Sequence, residues 1–96
     1  MASWVYILTC ADGSYYVGCT TALEDRYGDH QSGRLPGYTS TRRPVIMSWA
    51  GEFQMIDDAI SFERRLKRWS RAKKEAVIRG EWTRFRNFQS GDSGRY

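Results

Sequence analysis

Two phenols ten residues apart, Tyr6 and Tyr16, an arginine and a histidine four apart, Arg26 and His30, and a carboxylate on the apolar stripe of a helix, Glu63, are the side chains whose types and spacing could do chemistry. Phenol and imidazole can carry protons, and a guanidinium grips an anion. A carboxylate set against a core must find a cation, which is either an arginine or a metal ion. A second set, Tyr38, Thr39, Arg42 and Arg43, joins an aromatic face, a hydroxyl and two guanidinium forks, a combination suited to holding a sugar-phosphate backbone.

The tyrosines are positioned by a β-hairpin, WVYILTCADGSYYVG at 4–18. If Ala11, Asp12 and Gly13 form a three-residue connection, with Gly13 taking positive φ, then Cys10 faces Ser14, Leu8 faces Tyr16 and Tyr6 faces Gly18. That parity puts both phenols on one side of the sheet, beside a glycine that leaves room for something to approach. A two-residue Asp-Gly loop would put them on opposite sides. Phenols so placed can floor a site or simply pack across the strands.

Thr21 to Glu24 has capping-box spacing, which predicts a helix from about Ala22 to Gln31 with Leu23 and Tyr27 on one stripe and Arg26 and His30 adjacent on another. Ser32 to Pro44, SGRLPGYTSTRRP, is broken by glycine and proline and reads as a loop. Val45 to Phe53 reads as a third strand. Ile56 to Trp69 is the clearest helix, with Ile56, Ala59, Ile60, Leu66 and Trp69 as its buried stripe and Glu63 on the same side. Ser70 is expected to cap a last helix, 71–79, closed by Gly80. Trp82, Phe85 and Phe88 are expected to pack one further turn, with residues 90–96 frayed. The order ββαβαα predicts an α+β fold, a three-stranded antiparallel sheet flanked by helices, over residues 1–80, followed by a partly ordered extension, 81–96.

Ninety-six residues suffice for one domain with a modest core. The chain has no apolar run near the roughly 20 residues of a membrane span and no signal-peptide pattern, so the expected setting is cytoplasmic and the expected state a monomer. Cys10 and Cys19 lack metal-site spacing and read as buried reduced thiols. Fifteen Lys and Arg against eleven Asp and Glu give a net charge of +4, with the basic residues crowded into the second half, including Arg64, Arg65, Lys67 and Arg68. This favours a polyanionic partner, although a solvated helix face has the same appearance.

WVY at 4–6 and YVG at 16–18 resemble the two halves of the signature of GIY-YIG nucleases, particularly the small stand-alone, UPF0213-like proteins of that superfamily. Trp4 and Val5 depart from the name-giving glycine and isoleucine, and Tyr6 is kept. GYTSTRRPV at 37–45 and SRAKKEAVI at 70–78 extend the resemblance to about residues 4–78. The resemblance implies a metal-dependent endonuclease. In it Glu63 holds one divalent ion, Mg²⁺ or Mn²⁺, Arg26 stabilises the scissile phosphate, and Tyr6 and Tyr16 position or activate water. It also offers a later asparagine, but Asn87 is given no role.

A divalent ion and a guanidinium suit the charge that develops on phosphoryl oxygens. A phenol near pKa 10 is a poor base at neutral pH unless positive charge lowers it, so His30 is an alternative base or a relay for Tyr6. Tyr38, Thr39, Arg42, Arg43 and Lys67 are expected to contact phosphates of single-stranded or branched DNA, in repair or processing. The alternatives are a nucleic-acid-binding module with a vestigial site, and a surface for protein partners.

Overall fold

The tip of the first hairpin sets the frame for everything else. In a computed structural model that describes residues 2–80, strands β1 (Ser3–Thr9) and β2 (Tyr15–Thr20) run antiparallel. Their three-residue connection is closed by Cys10 N–H to the Ser14 carbonyl at 2.8 Å and by Gly13 N–H to the Cys10 carbonyl at 2.9 Å. Gly13 has φ of +85°, which a residue with a Cβ adopts only at a cost. The loop length fixes the register expected from the sequence, with Leu8 opposite Tyr16 and Tyr6 opposite Gly18. A third strand, β3 (Ile46–Phe53), pairs antiparallel with β1 and makes the order β2-β1-β3. A register shift between Ile7 and Leu8, where β3 passes from Trp49 to Met47, interrupts the alternation so that Trp49 and Met47 pack on opposite faces.

Three helices complete the α+β order ββαβαα: α1 (Leu23–Ser32), α2 (Ile56–Arg68) and α3 (Arg71–Ile78). β1 serves both faces of the sheet by the period of two. Val5 and Ile7 join Val17, Phe53, Ala59, Phe62, Leu66 and Val77 in one core beneath α2 and α3. Tyr6 and Leu8 join Cys10 and Val45 in a second, against which Leu23 and Tyr27 of α1 pack. None of the described helices is long and apolar enough to cross a membrane.

The structure corrects two local expectations. The capping box does not form: α1 starts one residue later, its N-cap Ala22 has no side-chain cap, and Thr20 Oγ1 instead accepts from Ala22 N–H at 3.0 Å. The stripe of α2 is rotated. Ile56 and Ile60 are exposed, and Phe62, omitted from the expected stripe, is fully buried with Ala59 and Leu66. Apolar residues occupy more than one side of this helix, and the bulkier aromatic takes the core. Ser70 does cap α3, accepting from Lys73 N–H at 3.2 Å. Cys10 is buried, Cys19 is half-buried, and both thiols are free. The aromatic turn expected at 82–88, Asn87 and the frayed end lie outside the described residues.

Candidate active site

Gly18 is the first determinant of the site's geometry. A Cβ there would collide with the Tyr6 phenol, which lies across the glycine backbone on the face shared with Tyr16. The two phenol rings stand 6.4 Å apart. His30 reaches them from the last turn of α1, its ring centroid 5.8 Å from Tyr6 and 5.1 Å from Tyr16.

The imidazole is held at both nitrogens. Nε2 lies 3.0 Å from the Tyr6 hydroxyl, and Nδ1 lies 2.8 Å from Thr39 Oγ1. All three side chains are buried, with Tyr6 1%, Thr39 2% and His30 3% exposed, so this is a closed chain of three polar groups inside the protein. Burial pushes the Tyr6 phenol well above its ordinary range, with the neighbouring Tyr16 adding to the effect and Arg26 opposing it. Burial pushes the imidazole of His30 below its ordinary value, and Arg26 pushes it further down. Both groups are therefore neutral near pH 7. When Nδ1–H donates to Thr39, Nε2 is left as the acceptor of the Tyr6 proton.

Arg26, one turn before His30, is exposed, and its guanidinium makes no hydrogen bond or ion pair with a described residue. Its charge nevertheless reaches both Tyr6 and His30. The arrangement is a guanidinium without a partner among the described residues beside a neutral phenol–imidazole couple.

Glu63 comes from α2, the helix on the opposite face. Its carboxylate is 17% exposed and pairs through Oε2 with Lys67 Nζ at 3.1 Å, one turn along. Its charge is felt at Cys19 and at Tyr6, raising both groups after the larger effect of burial. The cation that satisfies it here is thus a lysine, where the sequence suggested an arginine or a metal. No cluster of three or more metal-ligating side chains occurs among the described residues. A single carboxylate with one oxygen left over still fits a hard divalent ion that keeps most of its waters. Lys67, 53% exposed on a flexible stem, can yield the position.

Of the residues expected to grip phosphate, one is buried and the others already have partners within the protein. Thr39 is inside, on His30. Tyr38, 42% exposed, stacks on Tyr16 at 6.1 Å, and the Arg42 guanidinium lies 3.9 Å over its ring. Arg42 also donates from Nε to Asp12 Oδ2 at 3.1 Å and from Nη1 to the Tyr38 carbonyl at 2.8 Å. Arg43 donates from Nε to the Ser40 carbonyl at 3.1 Å, with its guanidinium packed on Gly33. Lys67 is taken by Glu63. Sequence reasoning missed Asp12 as a partner of this loop. It also missed Tyr27 and Gln31, which tie α1 to β3: Tyr27 Oη accepts from Met47 N–H at 3.3 Å, and Gln31 Oε1 from Val45 N–H at 3.1 Å. Their four-residue spacing on one helix face was the available signal.

Residues 2–76 match the family described as the GIY-YIG catalytic domain. A UPF0213 protein of Streptococcus pneumoniae is 42% identical over 76 residues, which cover 79% of this chain and 77% of that protein. A UPF0213 protein of Halobacterium salinarum is 40% identical over 74 residues, 77% of this chain and 96% of that one. The solution NMR structure of the protein EF2693 from E. faecalis is similar in fold, with a TM-score of 0.60 at 33% identity, covering 86% of this chain and 88% of that chain.

Proposed function

This chain belongs to the GIY-YIG family, a nuclease superfamily whose members are generally dependent on a divalent metal, and from that premise we propose that it is a metal-dependent endonuclease acting on single-stranded or branched DNA in repair or processing. The observation that carries this reading is the buried Tyr6–His30–Thr39 chain with the Arg26 guanidinium, unpaired among the described residues, beside it. A neutral phenol hydrogen-bonded to a neutral imidazole can pass a proton without creating an isolated buried charge in the resting state.

In this reading Tyr16, half-buried between Tyr6 and Tyr38, orients the attacking water. The water gives its proton to Tyr6 Oη as Tyr6 gives its own to His30 Nε2, so the phenol never has to exist as a free phenolate. The new O–P bond forms as the bond to the leaving oxygen breaks, and solvent protonates that oxygen. Arg26 binds the scissile phosphate. Because Arg26 is one of the groups that depress His30, neutralising it with substrate restores the basicity of the imidazole at the moment it is needed. Glu63 would hold the divalent ion, Mg²⁺ or Mn²⁺, which when bound supplies positive charge to a phosphoryl oxygen. The mouth of the site is framed by Tyr38 and guanidinium groups with no protruding recognition helix among the described residues, which favours unpaired strands over a duplex groove.

A second reading, a nucleic-acid-binding module without activity, is favoured by the pairing of Glu63 with Lys67. Glu63→Gln separates the two. Nicking with Mg²⁺ or Mn²⁺ should fall about 100-fold or more, while metal-free affinity for single strands holds level or rises slightly as a negative charge leaves. Undiminished nicking in the folded variant would eliminate the metal role. DNA binding by a wild-type protein that never nicks would establish the binding module.

A further inference from the structure

Arg42 looks from its sequence like a phosphate contact, yet Nε, Nη1 and one face of its guanidinium are engaged by the protein itself. Nε goes to Asp12, Nη1 to the Tyr38 carbonyl, and the plane lies on the Tyr38 ring. Asp12 is itself locked at the hairpin tip, where Oδ1 accepts from Ser14 N–H at 3.0 Å and from the Ser14 hydroxyl at 2.5 Å. The backbone closes the same junction, with Ala11 N–H donating to the Arg42 carbonyl at 2.9 Å. An exposed ion pair on its own contributes little to stability. This one is different in kind, because it is the side-chain fastening of an otherwise irregular loop to a rigid hairpin.

What the fastening holds is the site. Arg42 N–H donates to the Thr39 carbonyl at 3.0 Å, closing a turn that carries the Thr39 hydroxyl to His30 Nδ1. The same guanidinium presses Tyr38 against Tyr16. We propose that Asp12 and Arg42 are positioning residues for the Tyr6–His30 couple: together they strap the 33–45 loop to the hairpin, so that Thr39 fixes the imidazole tautomer and Tyr38 covers Tyr16. This inference rests on the nuclease reading for its catalytic consequence, but the strap has a physical signature of its own. His30 is the only histidine of the chain, so its ring resonances report one site. The groups facing it are Tyr6 from β1, Tyr16 from β2, Arg26 and Asp29 from α1, and Thr39 from the loop. Asp12 is not among them.

The two accounts of Arg42 differ in sign. As a phosphate contact restrained by Asp12, Arg42 would be freed by Asp12→Asn, and the variant would bind single strands more tightly and cut at least as fast. As a strap, the pair is weakened by Asp12→Asn, and Arg42→Lys cannot engage Asp12, the carbonyl and the ring face together.

The test is ¹⁵N NMR of the His30 ring across pH in the full chain without DNA or metal, for the wild type, Asp12→Asn and Arg42→Lys. Alongside it go nicking at saturating single-stranded DNA and the salt dependence of DNA affinity. The strap predicts that in both variants the His30 titration moves up toward its ordinary value and the tautomers mix. It also predicts that turnover falls about tenfold or more while the salt slope stays at the wild-type value. A His30 titration and tautomer unchanged in both variants would overturn the strap, as would an Arg42→Lys salt slope reduced by about 0.7 with turnover intact. If the wild type cuts nothing, the nuclease reading fails while the His30 titration still decides the strap.

Discussion

The two faces of the sheet are built from alternate residues of the same strand and do opposite work. Under α2 and α3, Val5 and Ile7 meet Phe62, Phe53 and Leu66, and Phe62 contacts Phe53, Trp49 and Trp69 ring to ring. That face is held by area and close packing, which are non-directional and tolerate like-for-like change. Under α1 and the 33–45 loop, Tyr6 bonds His30 and His30 in turn bonds Thr39, at definite lengths and with donor and acceptor roles coupled through the imidazole tautomer. That face is directional, and its buried polar groups are costly if any one partner is lost. The apolar face holds the domain by packing and leaves the other free to be built from buried, mutually bonded polar groups.

Phe62→Ala probes the contrast most strongly. It should destabilise the fold by about 3–5 kcal/mol through lost area and a cavity, yet leave nicking near the wild-type rate at temperatures where the protein is still folded. Melting curves paired with cold nicking assays check this, and lost activity in the folded variant would break the separation of faces. Gly18→Ala is the converse probe. One methyl directed at the Tyr6 phenol should cost about 1–3 kcal/mol and displace the phenol from His30, so nicking falls out of proportion to the melting midpoint.

The smallest effect is on the pH dependence of stability. His30 has its folded pKa lowered, so the unfolded chain takes up the proton first, and stability is complete above the ordinary value near 6.5 and declines as pH falls below it. Tyr6 is raised, so the unfolded chain loses its proton first, and stability is complete below about 10 and declines above it. Burial raises the Cys10 and Cys19 thiols from about 9 as well, so the melting midpoint is expected to hold level from about 6.5 to about 9 and decline above, and His30→Gln should remove the slope just below pH 6.5 while keeping the alkaline one.

How much of this was legible in the sequence depended on whether a short-range rule applied. The hairpin register followed from a three-residue loop, and with it the shared face of Tyr6 and Tyr16, because parity leaves no freedom. The Arg26–His30 adjacency followed from helical spacing. The phase of α2 did not follow: Ile56 and Ile60 are as apolar as the residues that were buried, and only the volume of Phe62 decides which side turns inward. Thr39 and Arg42 sit in a stretch without period, where charge and hydroxyl content suggest a surface but cannot reveal that His30 claims Thr39 while Asp12, thirty residues before Arg42, and two backbone carbonyls claim Arg42. The place of Glu63 on the apolar stripe shows that it needs a cation but not which one, and Lys67 in the next turn, equally suited to a phosphate, is the one that pairs with it.

The central claim, that the polar face is a proton-relay active site, is tested most directly by comparing nicking of a single-stranded or branched substrate by wild type and Tyr6→Phe on matched preparations with Mg²⁺ or Mn²⁺. The hydroxyl is the only atom removed, and its loss leaves His30 Nε2 without its partner, so a drop of about 1–3 kcal/mol in stability is expected with the fold retained. The account predicts nicking reduced about 100-fold or more in the folded variant. Nicking at the wild-type rate by folded Tyr6→Phe would contradict it.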